Sequence, residues 1–214
     1  MKVLALNGSP HKDGNIDFLI DEVFRHIVGA DAQSRPPSKE LHSENPRKSF
    51  QSASSVCQTI NVLETLQSAK WMPCTACSNP CNGACFEGTE VEKVFDKMRA
   101  ADVIILASPV YFGTVSGILK CFWDKTRVLR AEKALVGKKC AAIASGHAKF
   151  GGQETTLRAL HDMALVQGMT IIADGSADFD AGHHGVASSG NAREDNFAIE
   201  RCKILANRIL AISN

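Results

Sequence analysis

The stretch "VLALNGSPHKDGNIDFLI", residues 3–20, runs from a short apolar segment through a loop with two glycines into a helical pattern. Residues 3–6 are continuously apolar, which is typical of a strand buried on both faces of a parallel sheet. Ile16, Leu19 and Ile20 follow the period of an amphipathic helix. The stretch therefore predicts a strand, a loop and a helix in that order.

The same alternation continues along the chain and predicts a doubly wound α/β fold with five parallel strands and helices on both faces. Further apolar runs, which predict strands, lie at residues 60–63, 103–107, 141–144 and 170–173. Helical spacings of apolar residues lie at 91–98, 118–122, 157–164 and 199–209.

The composition predicts a single domain spanning residues 1–214, because this length with 44% hydrophobic residues supports one sizeable core. A segment at about 29–58, rich in serine, proline and charge, is predicted to be a polar insertion. The net charge of +1 argues against a nucleic-acid partner. The first apolar run is too short for a secretion signal and no run is long enough to span a membrane, so we expect a cytoplasmic protein.

Three glycine-containing loops follow the first, third and fourth predicted strands. In open α/β sheets, ligands bind beyond the carboxyl ends of the strands, at the switch point between strands one and three. The first loop ends at a helix N-terminus, which suits a phosphate. It lacks the Walker A and G-x-G-x-x-G patterns, which argues against a nucleoside triphosphatase and a standard NAD-binding half. A planar ring with a phosphate tail would use the loops after the first and third strands. The third such loop, after the fourth strand, strengthens the prediction of a pocket and contributes the candidates Ser145, Gly146, His147, Gly151 and Gly152.

The segments "LNGSPHKDGNI", "ASPVYFGTVSGILKCFWDK" and "GGQET" resemble the NADPH-dependent FMN reductase and iron–sulfur flavoprotein branch of the flavodoxin-like superfamily. The resemblance covers almost the whole chain except the insertion, and it implies strand order 2-1-3-4-5, bound FMN and a homo-oligomer. The implied phosphate loop is Ser9, His11, Lys12, Gly14, Asn15 and Ile16, and the implied ring loop is Pro109, Val110, Tyr111, Phe112 and Gly113. The family usually has a hydroxyl residue where this chain has Ile16, and often arginine where it has His11.

A cysteine-rich loop at 72–88 contains "MPCTACSNPCNGACF", with Cys74, Cys77, Cys81 and Cys85. Four thiolates can hold a [4Fe–4S] cluster or zinc, and a Cys-x-x-Cys pair can act as a thiol–disulfide couple. A structural disulfide is disfavoured in the cytoplasm. Iron–sulfur flavoproteins of the resembled family carry a compact cysteine motif at this place, which favours the cluster. Their usual spacing is C-x2-C-x2-C and a longer gap, whereas this chain has C-x2-C-x3-C-x3-C.

The resulting hypothesis is an FMN-dependent oxidoreductase that passes electrons from ferredoxin or NAD(P)H to a small-molecule or protein acceptor through FMN and a [4Fe–4S] cluster. No side chain need act as a catalytic acid or base, because the reaction takes place on the flavin. One alternative is an NAD(P)H-dependent flavin or quinone reductase whose cysteines bind zinc or stay free. Another is a flavodoxin-like electron carrier that is not an enzyme.

Overall fold

The computed structural model of the chain describes residues 1–33 and 56–212. Its strands are β1 (Val3–Asn7), β2 (Cys57–Asn61), β3 (Val103–Pro109), β4 (Lys139–Gly146), β5 (Thr170–Ile171) and β6 (Val186–Ser189). Its helices are α1 (Asn15–Gln33), α2 (Val62–Gln67), α3 (Glu90–Ala100), α4 (Gly117–Lys125), α5 (Arg127–Ala131), α6 (Gln153–Leu165) and α7 (Asn196–Ala211).

The strands form one parallel sheet in the order β2-β1-β3-β4-β5, which confirms the predicted doubly wound topology. A sixth strand, which the sequence did not predict, also pairs with β4. β5 pairs with the first two residues of β4, and β6 pairs with residues 143–146. Because β3 occupies the other edge of β4, the two short strands share one edge, and residues 172–185 connect them. The fifth strand position is thus filled by two segments.

Helices cover both faces of the sheet, as the continuous apolar runs predict. One core lies under α2, α3, α4 and α6, where Leu4 and Leu6 of β1 are buried with Phe95 and Phe122. The other core lies under α1 and α7 and takes up the alternate residues of the same strands. Each central strand therefore supplies apolar side chains in both directions, which accounts for runs without polar alternation.

The second strand was predicted at 60–63, but β2 ends at Asn61 and α2 begins at the next residue. The Asn61 side chain accepts a hydrogen bond from the backbone N–H of Glu64 at 3.0 Å, a typical helix N-cap that ends the strand there. The predicted insertion at 29–58 overlaps α1, which continues to Gln33, and β2, which begins at Cys57. The remainder of that segment lies outside the described residues.

Across residues 1–33 and 56–212, no helix combines the length and the apolar character needed to cross a membrane.

Candidate functional site

Ser116, the N-cap residue of α4, joins the loops after β1 and β3. Ser116 donates its hydroxyl hydrogen to the carbonyl of Gly8 at 2.6 Å, and its backbone N–H donates to the Ser108 hydroxyl at 2.9 Å. Gly8 in turn donates its N–H to Ala107 at 2.8 Å. A Cβ atom on Gly8 would lie 2.7 Å from the Leu119 side chain, so only glycine allows the two loops to approach this closely. The predicted meeting of the strand-one and strand-three loops is therefore present.

Asn15 connects the first loop to the far edge of the sheet. Its amide group donates to the Ser145 hydroxyl at 3.1 Å and to the Gly190 carbonyl at 2.7 Å, while its amide oxygen accepts from the N–H of Ala192. Ser145 also accepts from the Ser188 hydroxyl at 2.8 Å. Both amide hydrogens of Asn15 are thus used within the protein, and its side chain holds loops together.

The other predicted phosphate-loop side chains point in different directions. Ser9 is buried, and its hydroxyl accepts from the backbone N–H of His11 at 3.1 Å, while the His11 side chain is exposed. The Lys12 ammonium pairs with Glu64 at 2.6 Å on the exposed surface. Ile16 is buried in the core under α1. At position 16, the backbone can therefore face a ligand but the side chain cannot.

A carboxylate that the sequence analysis did not single out caps this loop. Asp17, in the first turn of α1, accepts hydrogen bonds from the Asn7 amide at 2.6 Å and from the backbone of Gly14 and Asp13. Burial raises the pKa of the Asp17 carboxyl, and these hydrogen bonds partly oppose the rise. This carboxylate lies at the helix N-terminus, the end that attracts anions, so its negative charge would weaken the binding of a phosphate there without removing the backbone N–H donors.

The loop after β3 forms a tight turn that exposes an aromatic ring. Tyr111 and Thr114 exchange backbone hydrogen bonds of 3.0 and 3.2 Å. The two central residues, Phe112 and Gly113, have positive φ angles of 51° and 78°. For a phenylalanine this conformation is strained, and such strain is commonly found at functional sites. Phe112 is fully exposed and Tyr111 is 38% exposed, whereas Pro109 and Val110 are half-buried.

The loop after β4 packs directly against this turn. Thr155 donates its hydroxyl hydrogen to the Gly113 carbonyl at 2.7 Å. Gly152 has a φ of +102°, and a Cβ atom there would lie 2.8 Å from the Cα of Gly113. Gly146 is held as closely, because a Cβ atom would lie 2.7 Å from the Gln153 side chain. Gly152 is therefore a position of close backbone approach, and Gly146 one of close approach to a side chain.

The outer part of this loop is open to solvent. His147 and Gly151 are exposed, and Phe150 is 94% exposed with a positive φ of 58°. Between this loop and the segment after β6 lies an open cavity of about 1160 Å³, lined by Phe150, Gly152 and Phe197 among others. Of the residues predicted for the site, only Gly152 lines this cavity, which extends the candidate site towards β6.

The four cysteines of the 72–88 loop are not gathered around one point. Cys85 is buried, Cys74 and Cys81 are half-buried, and Cys77 is exposed. Over the residues that the structure describes, no group of three or more histidine, cysteine, aspartate or glutamate side chains is arranged to hold a metal ion. The donor set itself, four thiols on one loop, has the chemistry that an iron–sulfur cluster or zinc requires.

Cys140 and Cys202 lie in the core and take no part in either site. Burial raises the pKa of the Cys140 thiol to about 12, and it raises the pKa of Cys202 as well. These thiols are therefore inert at neutral pH.

Sequence reasoning did not include the segment after β6, although Gly190 and Ala192 bond to Asn15. The only signal was the turn pair Gly190-Asn191 after a short, serine-rich run. It also missed Lys125, whose ammonium lies 3.4 Å from the Cys85 sulfur. A lysine at the end of an amphipathic helix gives no sequence signal that it is buried.

A doubly wound parallel sheet, with the loops of β1, β3 and β4 joined at the switch point, defines a flavodoxin-like protein. The turn after β3 exposes aromatic surface beside the loop after β4. A family model for NADPH-dependent FMN reductase matches residues 1–184, and the chain belongs to this family of flavin-dependent oxidoreductases.

Known relatives agree with this assignment. The chain is 31% identical to an iron–sulfur flavoprotein of Methanocaldococcus jannaschii, over 99% of this chain and 97% of that protein. It is 34% identical to an iron–sulfur flavoprotein of Methanosarcina thermophila, over 98% of this chain and 93% of that protein. Among solved structures, an apo form of NADH:FMN oxidoreductase matches with a TM-score of 0.61 at 16% identity, covering 98% of this chain and 89% of the other. That last similarity concerns the fold alone.

Proposed function

We propose that the chain binds FMN across the loops after β1, β3 and β4. The phosphate would lie at residues 9–16, against backbone N–H groups at the start of α1. The ring would lie against residues 109–113 and the facing loop at 145–152. The observation that carries this proposal is the turn at Tyr111–Thr114, which holds an exposed phenylalanine in a strained conformation beside a second, glycine-containing loop.

FMN, when bound, supplies hydride and single-electron chemistry at its ring. The residues of this chain would bind and orient it. The hydrogen bonds of Ser116 and Thr155 fix the spacing of the loops, and the aromatic turn offers apolar surface next to the ring. No side chain of the site is proposed to transfer a proton.

The cysteine loop is proposed to hold a [4Fe–4S] cluster on Cys74, Cys77, Cys81 and Cys85. Two features support this assignment: the four thiols fall within one short loop, and the innermost sulfur, that of Cys85, faces a buried ammonium. The relatives at 31% and 34% identity are named iron–sulfur flavoproteins. Because the four sulfur atoms are not arranged around one point in the described loop, holding a cluster would require the loop to close around it.

The chain would thus act as one domain that passes electrons from NAD(P)H or ferredoxin, through FMN and the cluster, to a small-molecule or protein acceptor. The family assignment supports NAD(P)H as a donor. We further propose that the protein is a homo-oligomer and works in the cytoplasm, where thiols stay reduced and available as ligands.

The FMN site is tested by titrating the apo-protein with FMN and following the quenching of flavin fluorescence. Tyr111→Ala should weaken binding about tenfold or more, because it removes aromatic surface next to the ring. Phe179→Ala is the matched control, since it removes an aromatic ring that is 51% exposed and lies outside the three loops. Equal affinities for Tyr111→Ala and Phe179→Ala would reject the proposed ring position.

A second candidate function is an NAD(P)H-dependent flavin or quinone reductase without a cluster, whose cysteines bind zinc or remain free. The dispersed cysteines of the described loop favour the form of this candidate in which the thiols remain free. Replacing all four by serine separates the two candidates. NAD(P)H oxidation at the wild-type rate with each acceptor tested would favour the second, whereas loss of electron transfer with full FMN content would favour the first.

A further inference from the structure

Lys125, the last residue of α4, is a buried cation. It is 1% exposed. Its ammonium donates to the carbonyl of Trp71 at 2.8 Å and lies 3.4 Å from the sulfur of Cys85. Among the described residues, no aspartate or glutamate oxygen lies within 4.0 Å of it. The charge is therefore enclosed with one neutral carbonyl and one sulfur.

Another buried cation of the chain is treated differently. Arg201 is 2% exposed, and its guanidinium contacts the carboxylates of Asp174 at 2.6 Å and Asp180 at 2.8 Å. Taking a charge out of water is costly unless an opposite charge compensates it. Within residues 1–33 and 56–212 no carboxylate compensates Lys125 in this way, and its ammonium contacts the sulfur of Cys85, a thiol that becomes a thiolate when it binds a metal.

A second cationic side chain, that of Arg127, also contacts the cysteine loop. Arg127, at the start of α5, donates to the carbonyl of Ser78 at 3.3 Å, between Cys77 and Cys81. A centre held by four thiolates is anionic overall, whichever of iron–sulfur or zinc it contains. Lys125 at the end of α4 and Arg127 at the start of α5 thus bring two positive charges into contact with the cysteine loop.

We propose that Lys125 is the fixed counter-charge of the cysteine loop. Its ammonium would donate a hydrogen bond to the Cys85 sulfur and make a [4Fe–4S] cluster on this loop easier to reduce. This inference rests on the proposed function, because it requires a cluster on these four cysteines. Hydrogen bonds to cluster sulfur and nearby charge are the means by which proteins set the reduction potential of such clusters.

The helix that carries Lys125 is anchored in the core. Phe122 and Trp123, on the same helix, are buried. The Trp123 indole N–H also donates to the carbonyl of Met163 at 3.1 Å. A cation fixed in this way stabilises added negative charge without first reorganising. Reduction would add one electron to the cluster, with no bond broken and no proton transferred by Lys125.

The test compares Lys125→Met, which keeps the length of the side chain and removes its charge, with Lys120→Met. Lys120 lies on the same helix but is exposed and paired with Asp124, so it controls for the general loss of a charge. After anaerobic reconstitution of the full chain, iron, sulfide and FMN contents are measured, and the cluster is titrated potentiometrically. At a fixed potential, Lys125→Met should lower the ratio of reduced to oxidised cluster at least tenfold, about 59 mV for one electron, and Lys120→Met should change it far less.

A second measurement does not depend on the folding of a variant. Wild-type protein labelled with ¹⁵N-lysine is reduced, and pulsed electron paramagnetic resonance is used to look for hyperfine coupling from a lysine nitrogen to the cluster. We expect a coupling that disappears in Lys125→Arg. A loaded wild-type cluster without that coupling, or equal potentials for Lys125→Met and Lys120→Met, overturns the role of Lys125 alone. A wild-type chain that takes up FMN but no iron and sulfide overturns both this role and the proposed cluster.

Discussion

Gly152→Ala should separate the two loops that would enclose the flavin ring. The added Cβ atom would lie 2.8 Å from the Cα of Gly113, whereas ordinary contacts begin at 3.4 Å. Because the opposing atom belongs to the backbone, no side chain can rotate away. The two loops must move apart by about 0.6 Å, and the hydrogen bond from Thr155 to the Gly113 carbonyl must lengthen.

The expected loss in the unfolding free energy of Gly152→Ala has two contributions, which a second variant can separate. Placing alanine at positive φ costs about 1–2 kcal/mol wherever it occurs. The collision adds about 1–3 kcal/mol, the usual range for overpacking. Gly137→Ala carries only the first part, because Gly137 has a φ of +77° and nothing lies within 4 Å of its would-be Cβ.

Urea unfolding should therefore show a larger loss of stability for Gly152→Ala than for Gly137→Ala. Fluorescence titration of the apo-proteins should show FMN binding weakened about tenfold for Gly152→Ala, equivalent to about 1.4 kcal/mol, and unchanged for Gly137→Ala. If the two variants have the same unfolding free energy and the same Kd for FMN, the reasoning about the contact between the loops is refuted.

Three further changes probe other parts of the account. Asp17→Asn should tighten FMN binding by on the order of 1 kcal/mol, about fivefold in Kd by titration, because it removes a negative charge from the phosphate loop. Burial raises the pKa of Asp17 above its ordinary value of 3.8, so the ionised carboxylate opposes folding. Any gain in the unfolding free energy of Asp17→Asn should therefore be largest at neutral pH and shrink as the pH falls towards 3.8. Arg201→Met should cost about 3–5 kcal/mol in urea unfolding, because it leaves the fully buried Asp174 carboxylate without its partner, and a loss below 1 kcal/mol would contradict this. Ser116→Ala should cost about 1–2 kcal/mol in the same assay, because it removes a helix cap and the bond to the Gly8 carbonyl.

The sheet could be predicted from the sequence because its central strands are buried on both faces. Residues 103–107 and 141–144 are apolar throughout, so no register or loop geometry was needed to recognise them. β6 escaped prediction because Val186 and Ala187 are its only apolar residues, and its pairing with β4 depends on a contact distant in sequence. The shift of the second strand arose from the Asn61 cap, which competes locally with the strand pattern.

The positions of the candidate loops followed from topology, because parallel strands end at the same edge of a sheet. The directions of the side chains did not. Asn15 was predicted to belong to the phosphate loop, yet its side-chain amide bonds to Gly190, 175 residues away in sequence. The side chain of Ile16 lies in the core, and that of Lys12 pairs with Glu64. Short-range sequence patterns encode neither contact.

Whether the chain holds both FMN and an iron–sulfur cluster is decided by an absorption spectrum of the anaerobically purified protein, recorded before and after addition of dithionite. We predict flavin bands over a broad sulfur-to-iron absorption, both of which bleach on reduction, with iron and sulfide in the proportions of one [4Fe–4S] cluster per chain. Flavin bands with no underlying absorption and no iron would contradict the cluster and leave an FMN reductase. The absence of flavin bands after incubation with FMN would contradict the proposed flavin site itself.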